Sequence, residues 1–288
     1  MTPERWPLRG RTRDERAVEM SEAVVVAMAN QKGGVGKSTC TICTARAASR
    51  YHGARVLVVD MDPQGNVTST LAREPIAADE VTLADAITPD SDVPLREVIV
   101  PTIWDGVDLA PGGQKLSIAD ARLNFAEYGR ESALRRALEP VRGDYDLVII
   151  DNPPSLLGQM LKNSLTAADA VVLVTEADEW SADGLALLGK TIARVRENYN
   201  PQLRIIGTVM NKWRETRSGR EAATEIIEGM TKHFPGVPVW IDYKIPLWVG
   251  VTDAKKGIAF DESKDARLRV MAQEVWQPIA GHMLQATA

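Results

Sequence analysis

Cysteine is nearly absent. The 288 residues carry only Cys40 and Cys43, too few for a disulfide framework, and such a chain is expected to be intracellular. Aromatic residues make up only 5%, yet 44% of the chain is hydrophobic and 25% charged, ample for a buried core. No apolar run approaches the roughly 20 residues that span a bilayer; the longest is Ala23 to Ala29. The N-terminus is charged and lacks the apolar stretch of a signal peptide, so the expected place is the cytoplasm. Excess positive charge is missing too. A net charge of −5 excludes a chain coated in basic groups for nucleic acid and leaves only local basic patches. His52, His233 and His282 show no metal-ligand spacing.

What the chain does have is alternation. "AVVVAMA" (23–29), "ARVLVVD" (54–60), "DLVIID" (146–151), "AVVLVTE" (170–176) and "RIIGTVMN" (204–211) are near-continuous apolar runs. Such runs suit strands buried on both faces of a parallel sheet. Between them, helical patterns cover 37–51, 130–141, 158–168, 181–199 and 219–233, the last with Ser218 as its expected N-cap. The expected fold is α/β: a doubly wound, mostly parallel sheet with helices on both faces. Residues 1–22 are expected to form a flexible tail, with Arg5, Arg9, Arg11 and Arg13 against Glu4 in its first part. Residues 23–288 are expected to form a single domain, with 74–106 as a peripheral insertion of short helices.

"NQKGGVGKST" (30–39) follows the first strand and opens the first helix, which is where a phosphate-binding loop belongs. Gly36, Lys37 and Ser38 end the G-x-x-x-x-G-K-[ST] pattern, although Gln31 stands where its first glycine should be. That position lies at the strand exit, so the loss is tolerable. Gly33, Gly34 and Gly36 let the backbone N–H groups point at phosphate oxygens, and the following helix adds its positive end. Lys37 would neutralise phosphate charge, and the Ser38 hydroxyl would ligate Mg²⁺. Val35 and Thr39 complete the loop. "LVIID" (147–151) places Asp151 at a strand end, where it would hold Mg²⁺ through water. "VVDMDPQGN" (58–66) offers Asp60 and Asp62 at the end of the second strand. Alternation puts both on one side, so one of the two is expected to be structural.

The stretches "KGGVGKST", "VLVVDMDPQGNVTSTL" and "DLVIIDNPPSLLGQMLKNSLTAADAVVLVTEADEWSADGL" resemble the deviant Walker A ATPases of the ParA/MinD class, with the nearest likeness to ParA. The resemblance covers most of 23–190. It implies ATP and Mg²⁺ as cofactors and ATP hydrolysis that is weak alone and stimulated by a partner. It also implies that Lys32, the extra lysine, reaches the phosphates of a second subunit across an ATP-bound homodimer. Cations there are sensible, since two stacked nucleotides repel. Asp62 then positions the hydrolytic water and supports the metal, and Asp60 is structural or metal-supporting. Asn211 matches the residue that reads adenine, and Pro246 is a candidate second wall of the base pocket.

The same resemblance implies non-specific DNA binding, association with the nucleoid and a ParB-like centromere-binding partner. The DNA-contact candidates are Arg214, Arg217 and Arg220, flanked by Lys212, and the group Lys244, Lys255 and Lys256; Arg217 is favoured. The chain departs from the family here, reading "IPLWVGVTDAKKG" after the late proline. A solvated basic surface remains the alternative reading. A MinD-like membrane switch is not expected, since "VWQPIAGHMLQATA" contains Pro278 and no Lys or Arg follows Arg269. An iron–sulfur reductase is not expected either, because Cys40 and Cys43 sit i,i+3 on a core helix. No substrate site for a ligase of this fold is legible. A helix-turn-helix repressor domain is not expected in the short stretch ahead of the first strand. The second functional reading is an ATPase of this class that positions a protein cargo.

Overall fold

The computed structural model describes residues 22–30, 32–89, 91–154, 158–176, 182–247, 257 and 259–286, with the side chains of 182–186 excepted. Seven strands form one sheet in the order β3-β4-β2-β5-β1-β6-β7. The predicted runs become β1 (Val24–Ala29), β2 (Val56–Asp60), β5 (Leu147–Asp151), β6 (Ala170–Glu176) and β7 (Arg204–Asn211). All of these pair in parallel, and β1 lies between β5 and β6. From β1 the chain moves first to one side of the sheet and later to the other, so the end of β1 is a topological switch point, where ligands of open α/β sheets bind.

Strand alternation divides the core into two layers. Val25, Ala27, Leu57, Val59, Val148, Ile150 and Leu173 face helices α3 (Leu83–Ile87), α5 (Lys115–Phe125), α6 (Ala133–Leu138), α7 (Gln159–Ala167), α8 (Ala182–Asn198) and α9 (Arg217–His233). Val26, Met28, Val58, Ile149 and Val172 face α1 (Lys37–His52), α2 (Asn66–Leu71) and the C-terminal helix. Helices on both faces explain why the strands read as unbroken apolar runs, because neither face meets water.

Several local expectations are corrected. Residues 74–106 do hold short helices, α3 and α4 (Leu95–Val98), but Leu83, Ile87, Leu95 and Val98 enter the main core. The segment also adds β3 (Val100–Pro101), antiparallel to β4 (Val107–Ala110) at the sheet edge, where proline can be tolerated. β4 and α5 were not legible as elements, since four residues and a weak amphipathic pattern give little period to read. The helix expected over 130–141 is α6 followed by a 3₁₀ segment, Glu139–Asp144, with Pro140 in its first turn. α9 starts at Arg217, and its cap is Thr216 rather than Ser218: the Thr216 Oγ1 accepts from the Gly219 N–H at 3.0 Å.

The C-terminal segment is helical despite Pro278. α10 (Ala266–Met271) runs through a π turn, Ala272–Trp276, into α11 (Gln277–Leu284). Pro278 sits in the first turn of α11, where a missing N–H costs little. Ile279, Ala280 and Met283 are buried in the layer beside α1, so the apolar side of this helix is already covered. Among the described residues, no helix is long and apolar enough to cross a membrane.

Candidate functional site

The loop between β1 and α1 wraps tightly for a stated reason. Gly36 caps α1 with φ +94°, and a Cβ there would meet the Asn211 side-chain nitrogen at 1.9 Å. Only glycine fits both demands. Gly34 also has positive φ, Val35 is buried, and Gly33 packs near Pro154. Gln31 lies outside the described residues. Asn30 staples the loop to the sheet, donating to the Val174 carbonyl and accepting from the Lys32 N–H.

The two lysines take opposite positions. Lys37 is buried, and its Nζ donates to the Lys32 carbonyl at 3.2 Å. Burial lowers its pKa, while Asp151 and Asp62 pull the other way. Lys32, by contrast, is exposed.

Beneath the loop lies a carboxylate cluster made by strand register. Asp60 and Asp151 are Cα partners at the ends of β2 and β5, and both are fully buried. Asp151 accepts from the Ser38 hydroxyl at 2.7 Å and the Thr41 hydroxyl at 3.1 Å. Burial, and then repulsion from Asp60, pushes its carboxyl up to about 7. Asp60 accepts from the Thr68 N–H and hydroxyl and from the Asp62 N–H; burial raises it to about 6. Thr68 in turn accepts from the Gly112 N–H. Gly112 has no room for a side chain, since a Cβ would lie 2.2 Å from the Asp60 carbonyl oxygen. Asp62 lies beyond the strand, in a turn that its Oδ1 closes by accepting from the Gln64 N–H. Strand alternation therefore does not govern the Asp60–Asp62 pair. The Oδ2 of Asp62 has no hydrogen-bond partner among the described residues.

This donor set suits a hard divalent cation. The Ser38 hydroxyl and the Asp151 carboxylate are in contact at 2.7 Å, and Asp151 and Asp62 both act on the Lys37 charge, so oxygen donors suited to such a cation stand beside the loop. The side-chain oxygen of Asn152 is also buried without a partner among the described residues. Residues 155–157 follow shortly after.

Asn211 reaches the same loop from β7. Its amide donates to the Val35 carbonyl at 2.7 Å, and the side chain is buried. The next residue, Lys212, has φ +54°, uncommon for a residue with a side chain, and it pairs with Glu176 at 2.9 Å. Pro246 is half-buried and bridges to Trp213, so its backbone is held against the segment that follows β7.

The expected basic cluster is less basic in space than in sequence. Arg217 pairs with Glu221 and Arg220 with Glu215, each at 2.9 Å. Lys244 lies 4.5 Å over the Trp213 ring. Arg214 is exposed, with no side-chain partner among the described residues. Lys255 and Lys256 lie outside the described residues. Cys40 and Cys43 are buried core thiols, as expected.

Sequence reasoning missed Thr41, Thr68, Gly112 and Asn152, and named Lys212 only as a flank of the basic cluster. Thr41 stands about one helical turn after Ser38 and Asn152 next to Asp151; Thr68 and Gly112 reach the site through folding.

A protein-family model described as an AAA domain matches residues 23–205, well over half of the chain. The sporulation initiation inhibitor protein Soj of Bacillus subtilis is 38% identical over 210 residues, 73% of this chain and 79% of Soj. The chromosome partitioning protein ParA of Caulobacter vibrioides is 37% identical over 232 residues, 80% of this chain and 83% of that protein. The chain belongs to the ParA/Soj family of P-loop ATPases. An uncharacterized protein of Mycobacterium tuberculosis is 40% identical over 207 residues, 72% of this chain but only 64% of its own length, so this ParA-family chain spans under two thirds of that relative. Among solved structures, a Mycobacterium smegmatis protein titled cobyrinic acid a,c-diamide synthase, with bound ATP analog and magnesium, superposes with a TM-score of 0.73 at 32% identity. That match covers 90% of this chain and 93% of the other. An McdA variant of Cyanothece in complex with ATP reaches 0.77 at 21% identity, covering 93% and 98%; at that identity the likeness speaks for the ParA-like fold alone.

Proposed function

We propose that this chain is an ATP hydrolase that dimerises on Mg·ATP, binds DNA non-specifically as a dimer and segregates plasmid, prophage or chromosomal DNA with a ParB-like partner. The observation that carries the reading is the division of labour between two lysines five residues apart in the loop. Lys37 is sunk beside the carboxylates, whereas Lys32 is exposed, where it serves a second subunit's nucleotide rather than its own.

Each residue has a role in this reading. Lys37 and the N–H groups of 33–39 hold the phosphates. Ser38 and Asp151 would hold Mg²⁺, which would supply positive charge to offset that of the phosphates. Asp62, with one carboxylate oxygen uncommitted, orients the attacking water. Thr41 and Thr68 act through others, fixing Asp151 and Asp60. Asn211 and Pro246 line the base. Localisation on the nucleoid follows from ATP-dependent DNA contact. Weak, salt-sensitive contacts let the chain release DNA after hydrolysis.

The deciding experiment is a gel shift on random-sequence duplex at rising salt, with and without ATP. Binding that requires ATP and weakens with salt is expected. Absence of binding at low salt would overturn the DNA part and leave positioning of a protein cargo as the reading that fits the same nucleotide site.

A further inference from the structure

The three most exposed large hydrophobic side chains of the described residues all fall in one eleven-residue stretch: Ile118 at 59%, Phe125 at 91% and Tyr128 at 83%. This is no frayed end. Ile118 and Phe125 stand two turns apart on α5, while Leu116, Ala119 and Leu123 on the opposite side are buried in the core. The helix is fastened from behind. Asp120 accepts from the N–H groups of Gln159 and Met160 at the start of α7, at 2.7 and 3.2 Å, and the Gln159 amide donates to Asn124. A rigid helix presenting an aromatic and an aliphatic anchor to water is the composition of a binding surface, not of an ordinary exterior.

The charge beside this stripe is positive, although the whole chain is net −5. Arg122 lies between Ile118 and Phe125 and has no side-chain partner among the described residues. Arg136 crosses from α6 to the turn after Tyr128, donating to the Gly129 carbonyl and the Ser132 hydroxyl. Both acceptors are neutral, so its charge is not compensated. Arg130 is matched by Glu131, and Asp120 is turned to the N–H groups of α7, which leaves Glu127 as the remaining acid of the stretch.

We propose that this outer face of α5 is a docking surface for an acidic, amphipathic protein segment, one that sets Asp or Glu against Arg122 and Arg136 and inserts apolar side chains beside Ile118, Phe125 and Tyr128. Charge selects this occupant over the others. The chain's own first 13 residues carry four arginines against one glutamate and would be repelled; residues 14–22, with Asp14, Glu15, Glu19 and Glu22 against Arg16, carry the occupant's sign, and Glu/Leu peptide binding that tightens when these four acids are changed to the amides would replace the partner with that segment. A second copy packed symmetrically on this face would bring Arg122 and Arg136 against their own equivalents. Duplex DNA would engage the arginines but find no use for Ile118 and Phe125. The surface stands independently of the ATPase reading.

The test uses the full chain and fluorescence anisotropy with four probes: a Glu/Leu amphipathic peptide, its Lys/Leu counterpart, a Glu/Ser peptide and an oligo-dT. The Glu/Leu peptide should bind about tenfold or more tighter than the other three. Phe125→Ser and Arg122→Glu should each weaken it by about tenfold, the scale of a central aromatic or arginine contact, while melting temperature and ATP binding stay unchanged. Neither residue contributes to the core, so both variants should fold. Preference for the Lys/Leu peptide or for oligo-dT would overturn the proposal, as would equal binding of the Glu/Leu and Glu/Ser peptides. Indifference to Phe125→Ser would overturn it as well. A nucleotide-free dimer dissolved by Phe125→Ser would replace the acidic partner with a second copy.

Discussion

The side-chain amide of Asn211 donates to the carbonyl oxygen of Val35 at 2.7 Å, tying the end of the last parallel strand to the loop that opens the first helix. Beside it, Gly36 leaves no space for a methyl group. Asn211→Ala should therefore cost about 1–3 kcal/mol, the price of leaving a buried carbonyl unpaired, read as a lower denaturation midpoint. Gly36→Ala should cost as much or more and also weaken nucleotide binding, because the left-handed turn and the contact fail together.

The lysines should separate by assay. Lys37→Ala is expected to abolish ATP binding in equilibrium dialysis. Lys32→Ala should keep measurable binding but lose both hydrolysis and ATP-dependent dimer formation. Loss of binding in both variants would mean that Lys32 acts within its own subunit.

Asp62→Ala should stop hydrolysis while leaving the fold intact, since Asp62 sits in a turn rather than in the strand. Size-exclusion chromatography with Mg·ATP should then show a persistent dimer. A monomer under those conditions would contradict the face-to-face assembly.

For DNA, the pairing pattern reorders the candidates. Arg214 has no acidic partner among the described residues, whereas Arg217 and Arg220 each face a glutamate. Arg214→Ala should reduce ATP-dependent duplex binding and flatten the log–log salt slope by about one unit per lost phosphate contact. Glu215→Gln should strengthen binding by freeing Arg220. No change in either variant would move the interface elsewhere on the molecule.

Cys40 and Cys43 should be chemically silent in the native chain, because burial raises both thiols and the thiolate is the reactive form. A colorimetric thiol reagent at about pH 8 should titrate neither until the chain is unfolded, and then both. A group whose pKa is higher folded than unfolded stabilises the fold below its unfolded value, 9.0 here, and that contribution is lost as pH rises above it. Alkaline unfolding should accordingly shift to higher pH in Cys43→Ala.

The linear chain by itself determined the parallel strands, the phosphate loop and the two carboxylate motifs. Strands buried on both faces must be apolar throughout, and a backbone wrapped around phosphate must carry glycine; both demands are local and leave marks in the residue order. The family likeness rests on the same local stretches. Tertiary structure alone decided the rest. The Asp60–Asp151 pairing is a matter of register between strands some ninety residues apart, and neither motif contains it. Gly112, just after β4, and Asn211, the last residue of β7, reach their partners Thr68 and Val35 through the order of strands in the sheet. In the basic cluster, Lys212 meets Glu176 only when β6 and β7 pair, whereas Arg217–Glu221 is a local i,i+4 contact within α9. The exposed face of α5 was hidden for the same reason: Phe125 and Leu123 are alike as letters, and only packing sends one into the core and the other into water.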